Sequence, residues 1–326
     1  MKQAAFERLH QADWHEFATR LDALERGKPS PSQASSFPAA YRQLCQQLAL
    51  AESRGYSSQL VDQLRQLTLR GHQQFYRHRS ALPGRVLGFI VGGFAREVRD
   101  QWRYVLTASL LFYGSLFGMA ALVYAFPELV YSVLPPDQVA QMEQMYDPDA
   151  SRLGRFAERG AGDDWLMFGY YVMNNIGIAF QTFASGLLFG LGTLFFLLFN
   201  GLTIGAVAGH LSSIGYHQPF WSFVIGHGAF ELTAITLAGA AGLQLGVALL
   251  APGRQTRAEA LRQAAKRGIQ LVGGATLFLL IAAFVEAYWS SMTLATPAIK
   301  YIVGTLLWLI VAAYFCLAGR GQHAAE

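Results

Sequence analysis

In the stretch "GHGAFELTAI", residues 226–235, His227 and Glu231 stand four apart among residues otherwise suited to lipid. Residues at i and i+4 share a helix face. The pair could therefore do acid–base chemistry, bind a cation or proton, or clasp two helices together. Other polar residues interrupt neighbouring apolar stretches: Asn174, Asn175, Asn200 and Glu286. At about 1.5 Å of rise per residue, all six fall at depths that let them converge in one leaflet, so Asn174, Asn175, Asn200, His227, Glu231 and Glu286 form a candidate buried polar cluster. Burying such groups is costly unless they are paired. The plainest reading is a structural clasp, with Glu231 paired to His227 or hydrogen-bonded to the asparagines across helices. The alternatives are an ion or proton path and an intramembrane hydrolase or metal centre. A zincin-type centre needs two histidines one turn apart and a further ligand, whereas "HGAFE" offers one histidine and one carboxylate. His210 and His217 fall at or beyond span ends and read as interfacial. Gly-x-Ser-x-Gly, Walker and Cys–His patterns are missing, so the sequence points to no catalytic residue, no metal ligand set and no cofactor.

The elements that must position these residues are membrane helices. Of the 326 residues, 53% are hydrophobic and 14% charged, and no Lys or Arg occurs between Arg159 and Arg254. A tract of that length exceeds any core helix, since roughly 20 apolar residues already cross the hydrocarbon. The expected fold is all-α: a polytopic membrane helix bundle of about six spans with an N-terminal cytoplasmic helical domain. That domain covers 1–82, with amphipathic helices around Phe6–Leu24, 39–55 and 57–79, a Pro/Ser-rich linker "KPSPSQASSFP", and Ser57 or Ser58 as an N-cap. The start, "MKQAAFERLHQADWHEF", lacks an apolar h-region, which favours an N-terminus left in the cytoplasm.

Residues 83–103 read as an interfacial basic segment, with Arg96, Arg99 and Arg103 at phosphate level. The transmembrane bundle occupies 104–318. Its spans are placed at 104–126, 166–184, 186–210, 220–250, 268–290 and 300–319, with an inner turn at Ala184-Ser185-Gly186. A rival division turns at Asn200-Gly201 instead. The loop 127–164 holds eight acidic residues against three arginines and is read as outer; 252–268 holds five basic residues and is read as inner. Residues 319–326 form a short cytoplasmic tail, so both termini lie inside. The net charge of +4 follows this topology rather than a nucleic-acid surface, and Arg254 and Arg257 act as topology determinants at the inner interface. Cys45 and Cys316, the only cysteines, do not make a disulfide framework.

Glycines recur at intervals of four: Gly186 and Gly190; Gly201, Gly205 and Gly209; Gly242 and Gly246. Such stripes let helix backbones approach closely. They predict a tightly packed bundle in contact with lipid, with a partner protein or a second copy of the chain against the glycine-rich faces.

Taken together, "NNIGIAFQTFASGLLFGLGTLFFLLFNGLTIGAVAG" and "HGAFELTAITLAGAAGLQLGVALLAPGRQTR" resemble the stage II sporulation protein M family of bacterial and archaeal membrane proteins. The motifs that carry the resemblance are Asn174-Asn175, Asn200-Gly201 with its spaced glycines, His227 to Glu231, and Pro252 to Arg257. The N-terminal "FERLHQADWHEF" and "YRQLCQQLA" are similar as well. The resemblance implies a non-enzymatic inner-membrane scaffold or assembly protein, since the namesake holds peptidoglycan-degrading partners during engulfment. This chain departs from the short sporulation form by its N-terminal domain of about 100 residues, which implies a cytoplasmic protein partner and a role outside sporulation. The alternatives remain a transporter or channel-like protein using the His/Glu/Asn cluster, and an intramembrane hydrolase.

Overall fold

A computed structural model describes residues 2–25, 31–77, 82–149, 161–292 and 294–320. Among them every regular element is helical. The chain divides into two compact units, Met1–Leu87 and Gly88–Glu326.

The first unit contains α1 (Gln3–Glu25), α2 (Pro31–Ser53) and α3 (Ser58–Arg77). Apolar residues three and four apart give each helix one inward stripe. Phe6, Trp14, Phe17 and Leu21 of α1 meet Phe37, Leu44 and Ala51 of α2 and Leu60, Val61, Leu64 and Leu67 of α3. The buried indole of Trp14 donates to Gln47 Oε1 at 2.7 Å, which satisfies its one polar atom. Arg70 of α3 bonds Asp22 and Glu25 at the end of α1. Gly55, with φ +61°, turns the chain between α2 and α3, and Ser57 caps α3 by accepting from Leu60 N. The predicted linker is shorter than its composition suggests. Part of it, 28–30, lies outside the described residues, and α2 already begins at Pro31 with Pro38 inside it.

After α4 (Leu82–Gly88), which ends at the division, the second unit opens with a π-helical turn (Phe89–Gly93) and α5 (Phe94–Asp100), which lead into α6 (Trp102–Ala125). A 3-10 segment (Pro127–Ser132) and α7 (Pro136–Met145) follow. Then come α8 (Ala161–Ala184), α9 (Leu191–Ser213), α10 (His217–Leu250), α11 (Arg257–Phe284) with a π-helical extension (Val285–Ser290), and α12 (Pro297–Leu317). Among the described residues, five helices are long and apolar enough to cross a membrane: α6, α9, α10, α11 with its extension, and α12. α8 matches them in length but carries Asn174, Asn175 and Gln181 and is not among the five. Large side chains such as Leu110 and Phe117 on α6 and Ile302 and Leu309 on α12 point outward, an apolar surface that suits lipid.

The predicted division of 166–215 holds in outline. α9 runs unbroken through Asn200 and Gly201, which excludes the rival turn. The actual turn is longer than Ala184-Ser185-Gly186: a 3-10 segment (Ser185–Leu187) continues through Phe189 (φ +55°) to Gly190 (φ +82°), the N-cap of α9. Gly186 and Gly190 are therefore turn residues, not a helical stripe. Gly186 is needed because α10 passes against it, where a Cβ would overlap the Gly242 carbonyl, and Gly190 is needed for its positive φ. A Cβ at Gly246 would sit 2.5 Å from Gly190 N, and one at Gly242 would sit 2.7 Å from Thr182 O. Thr193 Oγ1 donates to that same carbonyl at 2.7 Å.

α10 is the centre of the bundle, with α6, α8, α9, α11 and α12 all packed on it. Its inner faces carry small residues (Ala234, Ala238, Gly239, Ala241, Gly242), which admit neighbours at close range. Gly201, Gly205 and Gly209 do form a stripe on α9. It faces α6 within the same chain: Gly201 meets Phe112 and Ser115, Gly205 meets Leu116, and Gly209 meets Ala120 and Val123. Both series ascend together, so α6 and α9 run parallel. The expectation that the glycine faces await a second copy is corrected here, since this chain covers them itself.

The segment 83–103 also differs from its reading as interfacial. Phe94, Ala95 and Val98 are buried. Phe94 stacks edge-on against Phe278 and Phe315 at 5.6 and 5.5 Å. Arg99 donates to the carbonyls of Phe315 and Ala318 at 2.7 Å each, satisfying the end of α12. Arg96 is half-buried. Arg103 is exposed beside Trp102, and Arg254 and Arg257 are exposed as expected. Hydrogen bonds to a charged donor contribute about 1.5–3 kcal/mol. Arg99→Ala should therefore lower the thermal midpoint of the detergent-solubilised protein by several degrees, while Arg103→Ala leaves it within error.

Candidate functional site

α10 enters the bundle at His217, so His227 lies about 15 Å along it and Glu231 one turn further. Glu286 comes from the π-helical extension of α11, a conformation that is rare and frequent at functional sites. One ligand atom from each of His227, Glu231 and Glu286 lies within 4.8 Å of those of the other two. Gly226 faces Val285 and Trp289 there, where an added Cβ would stand 3.3 Å from Val285 Cγ1 and 3.4 Å from Trp289 Cδ1.

His227 is 6% exposed, and its Nδ1 sits 3.0 Å from Ser290 Oγ. Ser290 is fixed in turn through its carbonyl, which accepts from Lys300 Nζ at 2.7 Å. Lys300, at the start of α12, is 4% exposed. A network thus runs Lys300–Ser290–His227 across three elements. Glu231 and Glu286 are half-buried. Among the described residues, neither carboxylate has a hydrogen bond or an ion pair. Lys300, the cation on this network, is directed at a backbone carbonyl instead.

Above the site, Tyr146 follows α7 and packs edge-on against Phe220 and Phe223 at 5.3 and 5.8 Å; Phe223 meets the His227 ring at 5.5 Å. Burial, and next the negative charge of Glu286, Tyr171 and Glu231, push the Tyr146 phenol well above its ordinary value. The loop predicted as 127–164 is therefore more than an acidic tether. Val130, Leu134 and Val139 are buried in it, and Glu143 holds His210 of α9 at 2.7 Å. His210 is a buried anchor, not an interfacial residue. Residues 150–160 lie outside the described residues.

Of the six residues expected to converge, the structure joins three. Asn174 is exposed and donates to its neighbour, the buried Asn175, at 2.9 Å. Asn200 donates back to Phe196 O of its own helix at 2.7 Å. No hydrogen bond links these asparagines to His227, Glu231 or Glu286, so the expected clasp between Glu231 and the asparagines does not form. His227 has a clasp, but with Ser290. Sequence reasoning missed Ser290, Lys300 and Tyr146. The signals for the first two were a serine four residues after Glu286 and a lone lysine in an apolar tract.

Residues 106–291 match the family model described as stage II sporulation protein M. The chain belongs to that family. The match takes in α8 to α11 with the His227, Glu231 and Glu286 site, so this stage II sporulation protein M region contains all three residues. Residues 4–77 match a separate model, a domain of unknown function (DUF8413), which coincides with α1 to α3. An uncharacterized protein of Methanocaldococcus jannaschii is 27% identical over 119 residues, 35% of this chain and 66% of that protein. The match thus spans just under two thirds of the relative's length. No solved structure matches the chain.

Proposed function

We propose that this stage II sporulation protein M family member is a non-enzymatic scaffold or assembly protein of the inner membrane. It has six spans, α8 being the sixth, with both termini and the first unit in the cytoplasm. The observation that carries the reading is the first unit itself, a three-helix domain with its own core joined to a membrane bundle. That is the arrangement an adaptor needs, with one part held in lipid and the other presented to a protein partner. The positive-inside pattern supports the orientation: 21 of the 25 Lys and Arg fall on the cytoplasmic side of this topology.

Two experiments test it. Photo-crosslinking groups placed at exposed Leu9 and Leu69 should capture one and the same protein in the native cell. An absence of adducts from every exposed position of the unit would remove the adaptor reading. For orientation, an impermeant thiol reagent should leave Cys45 and Cys316 unlabelled in intact spheroplasts, react with Cys316 in inverted vesicles, and label a cysteine placed at Ser132 only from outside. Labelling of Cys316 in spheroplasts would reverse the topology.

A second reading, passage of a cation or proton through the bundle, is favoured by the carboxylates of Glu231 and Glu286, which accept no hydrogen bond. Reconstituted protein would then show a flux that Glu231→Gln abolishes.

A further inference from the structure

We propose that His227, Glu231 and Glu286 bind one divalent first-row transition-metal ion, zinc being the best fit, as a resident site that ties α10 to the end of α11. The argument rests first on donor chemistry. One imidazole and two carboxylates make a nitrogen–oxygen set that suits zinc and its neighbours, whereas magnesium and calcium favour all-oxygen shells. Three protein ligands that leave a fourth position for water are a recurrent zinc arrangement. Ligand atoms at about 2.1 Å from a tetrahedral ion stand about 3.4 Å apart. The three groups, within 4.8 Å of one another, would have to close by about 1.4 Å at most to reach that spacing.

The second argument is electrostatic. Two carboxylates side by side within a bundle repel each other, and each is costly there without a counter-charge. No described cationic side chain supplies one: the chain has no Lys or Arg between Arg159 and Arg254, and Lys300 is committed to the Ser290 carbonyl. A divalent ion would balance both charges at once.

The third argument is the shell around the ligands. A metal-bound histidine usually has its other ring nitrogen held by a hydrogen bond. Here Nδ1 of the buried His227 faces Ser290 Oγ at 3.0 Å, which leaves Nε2 for the ion. Ser290 is immobilised by Lys300. The Tyr146, Phe220 and Phe223 rings pack together, and Phe223 lies against the His227 ring. These features go beyond a scaffold role, which would not require them.

The test uses the full chain in detergent, stripped with a chelator and titrated with zinc chloride, then desalted. The expected result is one zinc per chain, with a rise in thermal midpoint that magnesium chloride does not reproduce. Cobalt chloride should give visible d–d bands that vanish in His227→Asn. Glu286→Gln should weaken zinc binding at least tenfold, and Glu231→Gln/Glu286→Gln should remove it while far-ultraviolet dichroism stays helical. Should the double variant fail to fold, the cobalt spectrum of His227→Asn and the Glu286→Gln titration decide alone. Zinc retained in full by these variants, or a stoichiometry near zero in the unaltered chain, would overturn the site. A midpoint raised by Glu→Gln without any metal dependence would assign the pair to a shared proton instead.

Discussion

Gly205→Leu should abolish the folded protein. Gly205 lies in the middle of the parallel contact between α9 and α6, where an added Cβ would run into the Leu116 carbonyl oxygen and stand 3.1 Å from Leu116 Cα. The obstacle is backbone, so no rotamer relieves it; the helices must separate. Overpacking of this kind costs about 1–3 kcal/mol for small additions. Gly205→Ala should lower the thermal midpoint by several degrees, and the leucine should exceed the few kcal/mol that hold the bundle together. Gly118 and Gly177 give the control, since a Cβ at either meets nothing within 4 Å. Alanine there should leave the size-exclusion profile and midpoint unchanged. Because alanine is the better helix former, equal loss at Gly118 and Gly205 would mean that the contact with α6 does not set the outcome.

Phe94→Ala should be nearly as severe, because the ring is 2% exposed and a buried Phe-to-Ala change costs about 3–5 kcal/mol. The same ring fills the space over Gly274, where an added Cβ would overlap it. Gly274→Leu alone should therefore destabilise by overpacking. Combined with Phe94→Ala it should place new carbon in the vacated volume and recover part of the loss. The expected coupling is about 0.5–3 kcal/mol, read as a double-mutant cycle in thermal midpoints. Strictly additive losses would show that the two positions do not share one volume.

Much of this architecture was legible in the chain. Long apolar tracts bounded by Pro127, Gly215 and the Arg254–Arg257 loop located most helix ends to within about five residues, because lipid imposes length and exclusion of charge together; the exception is α11, which begins at Arg257 on a Thr256 capping box, inside the stretch read as the inner loop 252–268. The helix-face argument also placed His227 and Glu231 correctly. What was not legible came from contacts made at a distance along the chain. Phe94 looks interfacial amid arginines, yet a glycine 180 residues later makes a socket for it. The glycine stripes announce close approach without saying to whom, and here the partner is α6 of the same chain. Asn200 looked like a cluster member by depth, but a side chain able to bond its own preceding turn does not need the cluster. Glu286 joined the site through a π-helical register that no local propensity reveals.

That register has a consequence for chain length. A π turn holds one residue more than the α turn it replaces, so Val285–Ser290 amounts to a single inserted residue absorbed without breaking the helix. Removing one residue from this stretch would let the α-helix close. The segment beyond would keep its register, because the wide turn is what absorbs the extra residue, and only the residues inside the turn, Glu286 among them, would be re-aimed. A deletion between Ala287 and Trp289 thus keeps the helix and its downstream register while changing the turn that presents Glu286 to His227 and Glu231.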